Sequence, residues 1–583
     1  MASPIANGST PATASERLVE FLAADLAASP TKYLAILAAT ALLWYLNRAG
    51  SIRDFDPLRE PPLARPTVPV VGHILSLVTQ GTRFHPALFA RHQKAPIMTI
   101  PMANKRMYAI NSPQLVQAAM RSKALSFEPF IIEFSQNFLG FTAAEFAVVP
   151  RLLPDFIRAL HGAMLGEHLH AMNAKALGHL GGILNAIGGG DGDGALEMDN
   201  LWKWLQTTVT LATSEALYGH RNPLAVCREP VCAHQGLSDD LWAFDAGMVV
   251  LTTNVAPGVL APRALAARGR LQAALGRFYA AGLDTGDDVA EMIKARARVL
   301  RRHGVSDTDV GRFEIAMLHV AVVNTMPTLF WLLVQVLRSS EHVGRARAEV
   351  LPLLTITTTT ADSAGKRATT ATVDISTLDE ARAPFLTACY RETLRWSGAA
   401  VINRRVMADV SITDGRASYL LREGADVNMP AAVTHALDAV WGPDAATLWS
   451  PDRFLSSAEG SGDNDNNDNK KEAERRRAKK AAFIPFGGGK NLCPGRNFAF
   501  AENMGLLAAL VVGFDVAWTD DNGGGKRGVP ERAETDLAHA VRPPVRDGEG
   551  TGMRVTRRAG WEGVEWAFVS GSGGGGGASA GPN

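Results

Sequence analysis

The sequence predicts one large domain, mainly α with small β-sheets, set behind an N-terminal membrane anchor. Three observations carry this expectation. From about Val70 to Val569 apolar residues recur mostly at helical spacing, broken by short strand-like runs such as PIMTIPM and RMYAIN. Residues 313–338, FEIAMLHVAVVNTMPTLFWLLVQVLR, form one long apolar helical pattern. Tyr33 to Leu46, YLAILAATALLWYL, is an uncharged run close to the N-terminus.

Composition limits the function classes. With 583 residues, 46% hydrophobic and 20% charged, the chain can bury one big core or two ordinary ones. Lys+Arg 59 against Asp+Glu 58 leaves a net charge of +1, so nothing global recruits nucleic acid or another polyanion. The four cysteines, Cys227, Cys232, Cys389 and Cys493, include no CxxC pair and no zinc-like spacing. They make no disulfide framework, which places the bulk of the protein in a reducing compartment. The first three read as buried small hydrophobes.

Taken in order, residues 1–50 hold an amphipathic segment, with Leu18, Leu22 and Leu26 four apart, and then the apolar run ending in Trp44 and Tyr45. That run is shorter than the roughly 18 to 20 residues that span a bilayer, so an interfacial or buried helix stands beside the spanning reading. Arg48, Arg53, Arg59 and Arg65 follow it, which places the large domain in the cytosol if the run spans. Residues 51–69 are proline-rich and read as a stiff connector. The main domain is expected over 70–570, with low-complexity inserts near 355–373, 456–482 and 519–528 read as surface loops. A Gly-rich tail, 571–583, reads as disordered.

The chemistry centres on FIPFGGGKNLCPGRNFAFAE, residues 483–502. The glycines let a tight backbone pass close to something, and the segment turns helical after Pro494. Cys493 therefore sits at a loop-to-helix junction, where backbone N–H groups and the helix N-terminus favour a thiolate able to bind a metal. A phosphate-binding reading of GGGKN competes, but the P-loop needs Ser or Thr after its Lys, and Asn491 stands there.

Phe486, Gly489, Cys493 and Gly495 resemble the heme-binding loop Phe-x-x-Gly-x-Arg-x-Cys-x-Gly of the cytochrome P-450 superfamily. The resemblance implies that Cys493 is the axial thiolate of heme b. Asn491 replaces the family's Arg, so a propionate bridge is absent or taken over by Lys490. Glu392 and Arg395, in ACYRETLRWSG, match the family's Glu-x-x-Arg pair and share a helix face, the plainer alternative being an ordinary surface bridge. Arg453, in SPDRF, matches the Arg that completes the cluster. In VINRRVMADVSI, Arg404 is the expected propionate partner, with Arg405 as the adjacent alternative. His435 matches a family position but reads as a packing residue. IRALHGAMLGEHLHAMN offers no counterpart to the family's Trp-x-x-x-Arg clamp.

Within 313–338 the family's acid–alcohol pair, which relays protons during dioxygen reduction, is replaced by Asn324 and Thr325. Pro327 follows and forces a kink, freeing the carbonyl of Val323. Asn-Thr-x-Pro is similar to the sterol 7α-hydroxylase, 12α-hydroxylase and prostacyclin synthase branch. The retained alcohol of Thr325 favours a monooxygenase acting on a lipophilic sterol, terpenoid or fatty-acid-like substrate, supplied with dioxygen and with electrons from an NADPH-cytochrome reductase. A peroxide isomerase needing no reductase is the alternative, and a non-catalytic heme protein a weaker one. Phe127, Phe130, Phe134, Phe138 and Phe141 fall in the region that covers the heme in that family, with residues 398–402, GAAVI, beside it, although an aromatic stripe at helical spacing reads as core before ligand cage. The resemblance implies an endoplasmic reticulum membrane location with a single N-terminal anchor.

Overall fold

A computed structural model of the chain describes residues 31–34, 37–41, 55–65, 73–92, 94–102, 105–188, 194–225, 237–359, 368–455, 466–519, 530–535 and 539–571. Strands β1 (Ile97–Pro101) and β2 (Arg106–Ile110) pair antiparallel, and α1 (Pro113–Arg121) follows with Pro in its first turn, where a missing N–H leaves nothing unpaired. Next come β3 (Leu125–Ser126), α2 (Glu128–Leu139), α3 (Val149–Ala163), α4 (Gly166–Ala186), β4 (Leu196–Met198), α5 (Leu201–Tyr218), α6 (Leu237–Ala246), α7 (Pro262–Ala280) and α8 (Glu291–Arg302). The long apolar pattern folds as two consecutive helices, α9 (Asp307–Val323) and α10 (Thr325–Leu337). Then follow α11 (Ser340–Val350), β5 (Thr355–Thr358), β6 (Thr369–Asp374), α12 (Pro384–Ser397), β7 (Val401–Val406), β8 (Val410–Thr413), β9 (Ser418–Leu421) and β10 (Asp426–Pro430). The chain closes with α13 (Asn466–Ala482), α14 (Arg496–Gly513), β11 (Phe514–Thr519), β12 (Gly552–Arg557) and β13 (Val564–Val569).

The mainly α expectation with small sheets holds. The largest sheet has the order β1-β2-β10-β7-β3, with β10 parallel to β2 and the other neighbours antiparallel. Helix α10 is mostly apolar and every residue but Gln335 is buried: Phe330, Trp331 and Leu332 are fully covered, in one core cluster with Leu507, Ala508 and Val512 of α14. Helix α9 belongs to a second cluster, with α7 and α8, that includes Phe313, Leu318, Val322, Leu271 and Leu300. Among the described residues 307–337 is the one stretch long and apolar enough to cross a membrane, but 78% of its most apolar window is buried inside the protein. It is a core element.

Several low-complexity stretches depart from the loop expectation. Residues 466–482 form α13, because Ala, Glu, Lys and Arg are strong helix formers even where no apolar stripe exists. The helix is tied down at its end, where Ala482 is buried, Gln117 Nε2 donates to Ala481 O and Lys479 Nζ donates to Arg453 O at 2.6 Å. The Thr-rich insert near 355–373 forms β5 and β6 at its two ends, as β-branched residues favour, and β6 runs parallel to β13. Residues 360–367, 456–465 and 520–529 lie outside the described residues, as do Cys227, Cys232 and the tail beyond Gly571.

The described part of the proline-rich connector, 55–65, is docked on the sheet. Thr99 N donates to Pro62 O and Ala64 N to Thr99 O, both at 2.8 Å, and buried Glu60 receives Arg106 and Arg422. Of the expected anchor, 31–34 and 37–41 are described, as helix, with Leu34 64% and Leu37 69% exposed. The remainder of 1–54 lies outside the described residues.

Candidate active site

The glycines around Cys493 have a geometric cause. Gly487 and Gly489 adopt φ of +74° and +64°, the left-handed region that side chains avoid. A Cβ at Gly488 would lie 2.3 Å from Met120 Sδ, and one at Gly489 would lie 2.5 Å from Met120 O. The loop is thus pressed onto the end of α1 and closes when Cys493 N donates to Phe486 O at 3.0 Å. Helix α14 starts three residues later, and Arg496 Nη1 donates to Cys493 O at 3.0 Å. Burial pushes the Cys493 thiol up, against the downward pull of the Gly495 and Arg496 N–H groups and the Arg496 charge. The helix N-terminus therefore does not by itself make a thiolate here. A bound metal cation is what would deprotonate this sulfur.

Behind the loop, Glu392 and Arg395 on α12 form a two-pronged pair, Nε to Oε2 and Nη2 to Oε1, both at 2.7 Å. Glu392 is fully buried, Arg395 is 2% exposed, and Arg453 Nε stands 3.5 Å from Glu392 Oε1. Ser450 N donates to the same oxygen at 2.9 Å, and Arg395 Nη1 donates to the carbonyls of His435 and Ala445. This geometry removes the surface-bridge alternative. His435 is a satisfied packing residue, as expected: its Nε2 accepts from Ile484 N at 3.0 Å and its Nδ1 faces Arg395 O at 3.2 Å. Burial first, and the Arg395 charge second, push its pKa down to about 3, so the ring is neutral.

Cys493 and Phe486 line a cavity of about 550 Å³ whose walls are mainly apolar. Arg404 also lines it and is 4% exposed. Its terminal nitrogens donate to Asn403 O at 2.8 Å and Gly488 O at 3.3 Å, and no carboxylate partners it among the described residues. A buried cation without a counter-charge is costly, so this position calls for an anion. Arg405 is not available for that task, because Glu133 and Asp426 already pair with it. Lys490 is a correction: the loop turns its ammonium outward to Glu128, 3.6 Å away, with 63% of the side chain exposed. Asn491 does line the cavity, and its Oδ1 is buried without a partner. Helix α3 contributes Leu152, Leu153, Phe156 and Leu160 and no cation, in line with the missing clamp. A sulfur on the wall of an apolar cavity and a buried Arg without a counter-charge fit a heme, which Cys493 and Arg404 would hold.

Asn324 and Thr325 line the same cavity. The long helix breaks at Asn324, φ −93° and ψ −29°, where α9 stops and α10 starts. Pro327 has no N–H for the Val323 carbonyl. Thr328, which the sequence reading did not single out, also lines the cavity and donates its hydroxyl to Asn324 O at 3.0 Å. Of the five phenylalanines only Phe127 lines the cavity; Phe138 and Phe141 pack on Phe244 and Phe313, in line with the core reading. Ala400, Val401 and Ile402 line it as expected. Arg296, from α8, was missed, although a lone acid in an apolar helix, Glu314, was the available signal.

The family model for cytochrome P-450 matches residues 289–526. A cytochrome P-450 monooxygenase of Gibberella zeae is 35% identical over 542 residues, covering 92% of this chain and 96% of the relative. The monooxygenase nodJ of Hypoxylon pulicicidum is 26% identical, over 79% of this chain and 84% of its own. The 5-beta-cholestane-3-alpha,7-alpha-diol 12-alpha-hydroxylase of Sus scrofa is 24% identical, over 82% and 91%. Among solved structures, a retinoic acid bound cyanobacterial CYP120A1 matches with a TM-score of 0.58 at 17% identity, over 86% of this chain and 100% of that one, which shows the fold. The chain belongs to the cytochrome P-450 family and with it to the oxidoreductases.

Proposed function

We propose that the protein is a heme-thiolate monooxygenase that inserts one atom of dioxygen into a lipophilic substrate of sterol, terpenoid or fatty-acid-like kind. The observation that carries the reading is one apolar cavity lined on one side by Cys493 and on another by Asn324 and Thr325. Heme b, which Cys493 and Arg404 would hold, would supply a redox-active iron, and the Cys493 sulfur as its thiolate ligand would favour O–O cleavage. The protein's own groups do the rest. The apolar walls exclude bulk water and hold the substrate. The Thr325 hydroxyl would pass a proton toward dioxygen in the cavity and take one back from a water, which the Val323 carbonyl, lacking an N–H from Pro327, and the Asn324 amide would hold. The Glu392–Arg395–Arg453 cluster fixes the backbone that carries Cys493.

The test is turnover with NADPH, a flavoprotein reductase and labelled dioxygen, in which one labelled atom is expected in the product. Thr325→Ala is expected to lower product formation by about 10² to 10⁴ in rate while NADPH is still consumed, the electrons leaving as hydrogen peroxide. Rapid rearrangement of a lipid peroxide without NADPH, untouched by Thr325→Ala, would establish the isomerase alternative that Asn324 leaves open.

The exposed leucines of the N-terminal helix support membrane anchoring at the endoplasmic reticulum, with the catalytic domain in the cytosol. A chain starting at Ser51 is expected to keep its heme and to be released from membranes by carbonate. Carbonate-resistant binding of that truncation would place the anchor elsewhere.

A further inference from the structure

The heme reading leaves one charged side chain of the cavity unused. Arg296 lines the cavity and is 4% exposed. Its guanidinium lies 3.9 Å from the centroid of the Phe156 ring, and its Nε donates to Glu314 Oε1 at 2.9 Å. Glu314 is fully buried and sits on α9 behind the cavity wall. Its other oxygen, Oε2, has no donor, and the terminal nitrogens of Arg296 have no acceptor among the described residues.

The contrast with Glu392 and Arg395 is informative. That pair is closed: two prongs, three backbone carbonyls and a backbone N–H satisfy it. A buried ion pair contributes to stability only when its remaining donors and acceptors are satisfied. Arg296 and Glu314 are joined by a single hydrogen bond, and the open half of the guanidinium belongs to a residue of the cavity wall.

Resting on the monooxygenase reading, we infer that Arg296 is a substrate-binding residue that donates to a neutral oxygen, a hydroxyl or a ketone, on the lipophilic substrate, and that Glu314 positions it. A carboxylate is the wrong ligand. Glu314 already neutralises the guanidinium, so a second anion would bring an uncompensated charge into apolar surroundings. A neutral oxygen accepts from the free N–H groups at no such cost. The substrate therefore carries oxygen before this enzyme acts, and a reaction that installs a hydroxyl or ketone on the same skeleton precedes it.

The experiment measures binding to the holoenzyme by equilibrium dialysis in fixed mixed micelles and, in parallel, by the shift of the heme spectrum. The probes are cholestanol against cholestane, and hexadecanol against hexadecane and hexadecanoate. In the wild type at least one alcohol is expected to bind about ten- to a hundredfold tighter than its hydrocarbon, the worth of one hydrogen bond to a charged group, with hexadecanoate weaker than hexadecanol. Arg296→Met, and Arg296→Met with Glu314→Leu, are expected to erase the preference and keep the hydrocarbon affinity. Should the apolar variants fail to fold, Arg296→Lys is expected to weaken the preference, since it keeps the charge and a donor but loses the planar fork. A preference that survives Arg296→Met or stays at the wild-type level in Arg296→Lys, a wild type without one, or tighter binding of the carboxylate overturns the inference. Failure of the heme reading would be seen separately, as a missing thiolate spectrum with the dialysis preference intact.

Discussion

Replacing Glu392 by Ala is expected to leave little heme-loaded protein. The carboxylate removed is fully buried and neutralises Arg395, itself 2% exposed, while also standing 3.5 Å from Arg453. Breaking a buried pair by deleting one partner typically costs about 3 to 5 kcal/mol, because the surviving charge has no compensation. Whole domains are stable by only about 5 to 15 kcal/mol, so this one change takes a large share. The damage would also be local to the heme. Ser450 N loses its acceptor, and Arg395 is the residue that ties α12 to the carbonyls of His435 and Ala445. His435 in turn receives Ile484 N at the entry of the Cys493 loop. The heme-to-protein ratio and the unfolding temperature check this, and wild-type values of both would show the cluster to be dispensable.

The parts of this site that the sequence revealed are those fixed by local geometry. The glycines before Cys493 are legible because Gly487 and Gly489 sit at positive φ, a local backbone demand that a glycine run announces. Glu392 and Arg395 are legible because three residues in a helix share a face. What escaped depends on long-range placement. Lys490 is adjacent to the loop in sequence, yet the turn at Gly489–Asn491 sends it to Glu128 at the surface. Only the resemblance favours Arg404 over Arg405 in the sequence; alternation along β7 is what puts Arg404 in the cavity wall and Arg405 against Glu133 and Asp426. Arg296 reaches the cavity only because α8 packs on α3, a contact between segments more than a hundred residues apart. Helix α13 escaped because its charged composition resembles that of disordered chains, and its docking on α1 and Arg453 lies outside any local pattern.

Replacing Cys493 by Ala is expected to abolish the thiolate-heme signature altogether, with loss of turnover. Among the described residues no other thiol lines the cavity: Cys389 is fully buried in the core, where burial holds it as a thiol. Cys493→His offers a nitrogen at the same place and is expected to retain some heme without the electron donation a thiolate provides. Loss of the ligand leaves the Glu392 cluster untouched, so the Ala variant is expected to fold, which circular dichroism checks. The carbon monoxide difference spectrum of the reduced full-length protein is the most direct measurement. The wild type is expected to show the long-wavelength band for which the family is named, and Cys493→Ala and Cys493→His to lack it. A wild type without that band, or a Cys493→Ala protein that keeps both band and turnover, would contradict the assignment of Cys493 as the axial ligand.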